Sequence, residues 1–232
     1  MMKLKFSFLI LFLFLSTTMR AQKEAWLIGA IKDCKTGNYN PEQKSIKIFD
    51  GDREVDFINE GFGAFYAKNM ETKTYSVQYQ NIFGQTVAKN VNLTEGNNFI
   101  DFCLDYFVEP DITTFVSSVN KLDTLKISFK GVSATNVNEQ NAVFYYKGNE
   151  LWADFRNESG NFSKKIKPEI LKKLIISEKK AIEAAVLKDE SSDYRNVYTF
   201  ELGSKKKQII NCYLDDWNFY GDFFITIFGE LK

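Results

Sequence analysis

Histidine is absent from the 232-residue chain. Its absence removes Ser-His-Asp and Cys-His catalysis, and with them every histidine-ligated metal site. Cysteine is scarce: Cys34, Cys103 and Cys212 form no C-x-x-C pair, so the usual structural zinc site is missing too. None of the patterns GxSxG, GxxxxGK[ST] or GxGxxG occurs. The sequence therefore points to no cofactor and no metal. Charge of one sign is not in excess, with Lys+Arg 30 against Asp+Glu 30, which speaks against a nucleic-acid partner. No apolar run is long enough to span a bilayer. The longest, residues 6–15, falls short of the ~20 residues a spanning helix needs.

What is present begins with that run. "MMKLKFSFLILFLFLSTTMRAQ" sets Lys3 and Lys5 before an apolar core, and small residues lead to Ala21. This is the pattern of a secretory signal peptide over residues 1–21, with the mature chain starting at Gln22. No cysteine lies at the cleavage region, so a lipoprotein is not indicated. The expectation is an exported protein, periplasmic or at the cell surface, that is not an integral membrane protein once the leader is removed. In such a compartment Cys34 and Cys103, which fall in one half of the chain, could pair; three small buried residues are the simpler account. Hydrophobic residues make up 44% of the chain, including 22 Phe, enough for folded cores rather than bulk disorder.

Residues 22–109 read as short strands between turn signals, at 26–32, 45–50, 54–58, 63–68, 74–80, 85–92 and 98–106. Alternation is clearest in the last, where Ile100, Phe102 and Leu104 share one face. Gly51 tips a hairpin in "FDGDREV". The pattern predicts an all-β, seven-stranded sandwich. In "LIGAIKDCKTG", turn chemistry accounts for Asp33, Thr36 and Gly37.

The same stretch resembles the opening of the carboxypeptidase regulatory-like (transthyretin-like) domain, I-x-G-x-V-x-D-x-x-T-G. Leu27, Gly29, Ile31, Asp33, Thr36 and Gly37 carry the match. Further on, Gly63, Phe65, Thr74, Tyr75, Val77 and Phe83 resemble the family's later positions in the same order. The Pro-Gly pair that often follows the T-G turn is replaced by "NYNPEQKS". The resemblance implies a seven-stranded sandwich used as a non-catalytic module in exported and envelope proteins.

Pro110, in "YFVEPDITTF", marks the junction. Residues 112–232 read as a small α+β domain, an antiparallel sheet with about two helices. Strands are expected at 123–130, 142–147, 151–155, 196–202 and 208–213, with a hairpin through Gly148–Asn149. Pro168 suits a helix start, and Leu171, Leu174, Ile175, Ile182, Ala185 and Val186 make one stripe; Ser177 could instead cap a second helix. Trp217, Tyr220, Phe224, Phe228 and Leu231 repeat at helical spacing. This half resembles small secreted α+β domains of unknown function.

Asp50, Asp52, Glu139, Asp215 and Asp216 are the carboxylates that acid–base chemistry would need, and turns or caps explain each of them. The Lys205–Lys207 run reads as a hairpin tip. Trp217, Phe219, Tyr220 and Trp152, with Tyr145 and Tyr146, are the candidate binding residues, since aromatic side chains anchor partners; core packing is the alternative, because aromatic residues at strand and helix spacing fill interiors. The expected function is an exported, non-catalytic envelope protein: a sandwich that spaces or docks, and an α+β domain that binds a protein or an envelope glycan. A carboxylate-based glycan hydrolase and an inhibitor or immunity-type protein are the alternatives.

Overall fold

The computed structural model describes residues 24–39, 45–132, 137–157, 160–187, 195–210, 213–214 and 217–229. The expected leader, Cys212, Asp215, Asp216 and Leu231 lie outside the described residues. The chain divides into two compact units. One comprises Met1–Gln80 and Thr86–Leu104, the other Asn81–Gln85 and Asp105–Lys232. The units thus part at Leu104, a little before Pro110.

The first unit holds β1 (Glu24–Lys32), β2 (Ile46–Asp50), β3 (Arg53–Val55), β4 (Ile58–Gly61), β5 (Ala64–Glu71), β6 (Thr74–Gln80), β7 (Thr86–Asn92) and β8 (Gly96–Cys103). They form two four-stranded sheets, β4-β5-β1-β8 and β3-β2-β6-β7. The eight strands replace the expected seven. The one strand read at 54–58 is two short edge strands, β3 and β4, that join opposite sheets. The core follows from alternation: Ala25, Leu27 and Ile31 of β1 are buried, as are Ile46 and Ile48 of β2 and Tyr75, Val77 and Tyr79 of β6. Phe102 of β8 closes the layer, 5.6 Å from Phe65 and 5.7 Å from Tyr79 of the other sheet. Gly29 is required where it stands, because a Cβ there would lie 2.1 Å from the Phe65 ring.

The turn after β1 forms as its residues dictate. Asp33 Oδ1 accepts hydrogen bonds from the amides of Lys35 (2.7 Å) and Thr36 (2.8 Å), and Gly37 takes φ +77°. Cys34 in that turn is disulfide-bonded to Cys103 at the end of β8, with Cα atoms 5.2 Å apart. The simpler reading of these two as unpaired small residues is therefore corrected. The parallel pairing of β1 with β8 carries both sulfurs to the same end of the sheet.

The second unit is built on a six-stranded antiparallel sheet of β9 (Leu125–Val132), β10 (Val137–Lys147), β11 (Glu150–Asn157), β12 (Gly160–Lys165), β13 (Arg195–Leu202) and β14 (Lys205–Ile210). Their order is β12-β11-β10-β9-β13-β14. The helix α1 (Pro168–Ala184) starts at Pro168 as expected. It continues unbroken through Ser177, which is buried and bonds Asp222 Oδ2 at 3.2 Å, so no second helix begins there. After the short pair β15 (Tyr213–Leu214) and β16 (Trp217–Asn218), a π turn over Gly221–Ile225 runs into α2 (Thr226–Phe228). The helical reading holds from the π turn onward although "FITI" is β-prone, because its Phe side chains seal the sheet; Trp217, read as the first residue of that stripe, lies in β16 instead. Phe223 meets Phe144 at 5.9 Å and Phe224 meets Phe155 at 5.2 Å. Among the described residues no helix is long and apolar enough to cross a membrane.

Residues 81–85, which connect β6 to β7, belong to this second unit. Asn81 is fully buried. Its amide nitrogen donates to Gln85 Oε1 and to the Tyr106 carbonyl, each at 2.8 Å, while its oxygen accepts from the amides of Phe83 (3.0 Å) and Gln85 (2.8 Å). A buried amide with all its groups paired is inexpensive to bury and costly to replace. It presents Phe83 to Phe107 (5.0 Å) and Trp217 (5.4 Å).

Glu178 of α1 is 0% exposed and accepts from the amides of Phe115 (2.7 Å) and Val116 (2.9 Å), clamping the turn that carries them. Burial outweighs those two bonds and pushes its carboxyl above the ordinary value. A raised folded-state pKa means the folded state binds the proton more tightly. The stability this proton contributes is complete below the unfolded value near ~4.3 and is lost as pH rises through the folded value. Melting temperatures measured across that range should therefore fall less steeply with rising pH for Glu178→Gln than for the parent. Parallel curves would refute the assignment.

Candidate functional site

One face of the six-stranded sheet is spent on the core; the opposite face of β10, β11 and β12 is a grid of outward side chains. The antiparallel register aligns Tyr145, Trp152 and Lys165 in one row. The next row is Val143, Asp154 and Ser163, and the third is Asn141, Arg156 and Asn161. Strands ~4.8 Å apart and alternate residues ~6.8 Å apart give this grid dimensions of about 10 by 14 Å. Its last two rows and Tyr145 line a depression of about 540 Å³.

The chemistry changes from row to row. At the centre, Asp154 Oδ1 accepts from both Ser163 Oγ (2.6 Å) and Tyr145 Oη (3.2 Å), which fixes the carboxylate and orients the two hydroxyls. On one side stand the aromatic rings, with the Lys147 ammonium 5.7 Å from the Trp152 ring centre. Lys165 is occupied by a hydrogen bond to Glu150 and holds that carboxyl below its usual range. On the other side Arg156 stands in register between Asn141 and Asn161. The face thus offers acceptors in the middle, donors at one end and ring surfaces at the other.

The structure sorts the expected binding residues by face. Trp152 is half-buried on this grid, paired in register with Tyr145. Tyr146 pairs with Leu151 and points the other way. Trp217 is only 6% exposed, against Phe83, and Phe219 is 0% exposed, stacked on Phe223 at 4.8 Å and edge-on to Tyr198 at 4.6 Å. Tyr220 is half-buried between Phe129 (6.0 Å) and Phe224 (5.2 Å). The expected exposure of Trp217 and Phe219 is corrected: Phe219 turns onto the sheet strand β13, and Trp217 is buried against Phe83.

The carboxylates also settle. Asp50 bridges Lys73 (2.8 Å) and Arg53 (3.6 Å) beside the Gly51 turn, and Glu139 pairs with Lys130 at 3.3 Å. Lys206 in the β13–β14 hairpin pairs with Glu201 at 2.7 Å. Among the described residues the carboxyl driven upward is Glu178, committed to backbone amides inside the core. Asp154, Arg156, Asn141, Asn161 and Ser163 are the residues that sequence reasoning missed. Polar side chains on a strand carry no signal until the register brings them together. Compared with protein-family models and with curated proteins, the chain shows no match.

Proposed function

We propose that the chain is an exported, non-catalytic cell-envelope protein. Its first unit serves as a spacer or docking module, and its second unit binds a partner through the outer face of β10–β12. The observation that carries the reading is the depression of about 540 Å³ lined by the fixed Asp154 carboxylate, by Arg156 and by the Tyr145 ring. Binding sites combine a concave surface with a few oriented polar groups. Support for export comes from the leader-like opening of the sequence and from the Cys34–Cys103 disulfide, a bond that persists in oxidising compartments. Support for a spacer comes from the resemblance of the first unit to carboxypeptidase regulatory-like modules. The absence of histidine supports a role without acid–base chemistry.

The test is retention on cell-envelope material separated into glycan and protein fractions. Asp154→Lys places a cation at the centre of the grid and unpairs two hydroxyls on the surface, leaving the core untouched. Retention by one fraction should fall at least tenfold, the size of a lost charge-assisted contact. Equal retention of parent and variant would sink the reading.

A further inference from the structure

The three rows of the grid are complementary to one class of molecule. Arg156 presents a planar fork of donors, and Asn141 and Asn161 lie directly across from it on the two neighbouring strands. A guanidinium between two carboxamides is a donor array suited to a planar anion, which it meets bidentately. Two residues away on the same strand, Asp154 is an acceptor, and the Tyr145 and Ser163 hydroxyls that donate to it keep lone pairs for hydroxyl protons. Two residues further along lies Trp152, half-buried and paired in register with Tyr145. Carboxylate, hydroxyls and an apolar ring face, in that order over about 14 Å, describe a sugar acid followed by the ring of a second, linked unit along β11.

A nucleotide also carries an anion, hydroxyls and a flat ring, and the charge balance tells the two apart. A phosphate draws several cations or a helix N-terminus, whereas this end of the grid has one guanidinium and Asp154 close by. The depression is shallow and open on the sheet surface, the form that admits one unit of a continuing chain. We propose that the face takes a uronate-containing saccharide, with Arg156 on the carboxylate and Asp154 and its two hydroxyls on the ring hydroxyls of one unit in the depression, and Trp152, one row beyond it, against the ring of the next unit. The proposal rests on reading this face as the partner-binding surface and names that partner's chemistry.

Calorimetric titration of the purified protein tests it, with oligomers of galacturonate, glucuronate and mannuronate beside the matching neutral oligomers of galactose, glucose and mannose. At least one uronate series should bind at least tenfold more tightly than its neutral counterpart. Arg156→Gln should erase that preference, and Asn161→Asp, which sets a like charge beside the sugar carboxylate, should weaken the uronate at least tenfold. Both positions are exposed, so the melting temperature should stay that of the parent and report folding separately. Equal affinity for acidic and neutral oligomers overturns the assignment, as does tighter binding of uridine monophosphate than of any uronate. Binding of none of the oligomers also overturns it. If Asp154→Lys still abolishes envelope retention in that case, the surface stands and only its ligand class has failed.

Discussion

Phe219→Ala is expected to destabilise the second unit by about 3–5 kcal/mol, the range for truncating a fully buried aromatic side chain. Phe219 is the hub of the terminal segment. Its ring lies within 4.6–5.8 Å of Tyr198, Phe200 and Phe223, so its removal leaves a cavity walled by three other rings. Those neighbours belong to a sheet strand and to the π turn, and neither can collapse inward without opening its own hydrogen bonds. A drop in melting temperature on the order of 10 °C should accompany the loss. The β10–β12 face lies on the other side of the sheet, so the folded fraction of the variant should keep the parent's retention on envelope material. A loss below about 1 kcal/mol, or a selective loss of retention without destabilisation, would return Phe219 to the role of a surface anchor.

Replacing Cys34 and Cys103 together by Ala should cost the first unit about 4 kcal/mol. The bond closes a loop of sequence separation 69, and the chain-entropy account of a cross-link gives that magnitude for a loop of this length. The loss should be local. Amide exchange should quicken across β1 and β8, whose parallel pairing the bond fastens at one end, while β9 to β14 keep the parent's rates. A parent-like urea midpoint for the double variant would show that the sheets alone hold the unit.

Glu178 illustrates why function and structure are easily confused in such a chain. It is the raised, buried carboxyl that a search for catalytic acids would select. Both of its oxygens, however, accept backbone amides from Phe115 and Val116, and the residue is fully buried. Its neighbours on α1 are ties of the same kind, with Lys179 on Glu109 at 2.7 Å and Lys180 on Asp222 at 3.3 Å.

Much of the fold was legible because alternation is a local property. The strands expected at 26–32 and 74–80 are found as Glu24–Lys32 and Thr74–Gln80, and the helix begins at the proline that suits it. One element that escaped reading is β12, "GNFSKK". It is an edge strand exposed along nearly its whole length, held by pairing with β11 rather than by burial, and so it lacks an apolar stripe. The buried Asn81 escaped for the converse reason. A polar residue between strands looks like an ordinary turn, and its burial depends on partners at Tyr106 and Gln85.

The sequence by itself determined the strand-rich first half, the turn at Asp33 and the helix at Pro168. Each of these depends on residue type or on spacing within one segment. The tertiary structure alone decided which aromatic rings are available. Trp217, Phe219 and Trp152 are indistinguishable as aromatic residues in a pattern, but each element has two faces, and only packing fixes which face is covered. It alone decided that Cys34 meets Cys103, since that meeting requires the first strand to lie beside the last of its unit. It also assembled the grid, because Asn141, Arg156 and Asn161 become neighbours through strand register, a relation between segments that no single segment encodes.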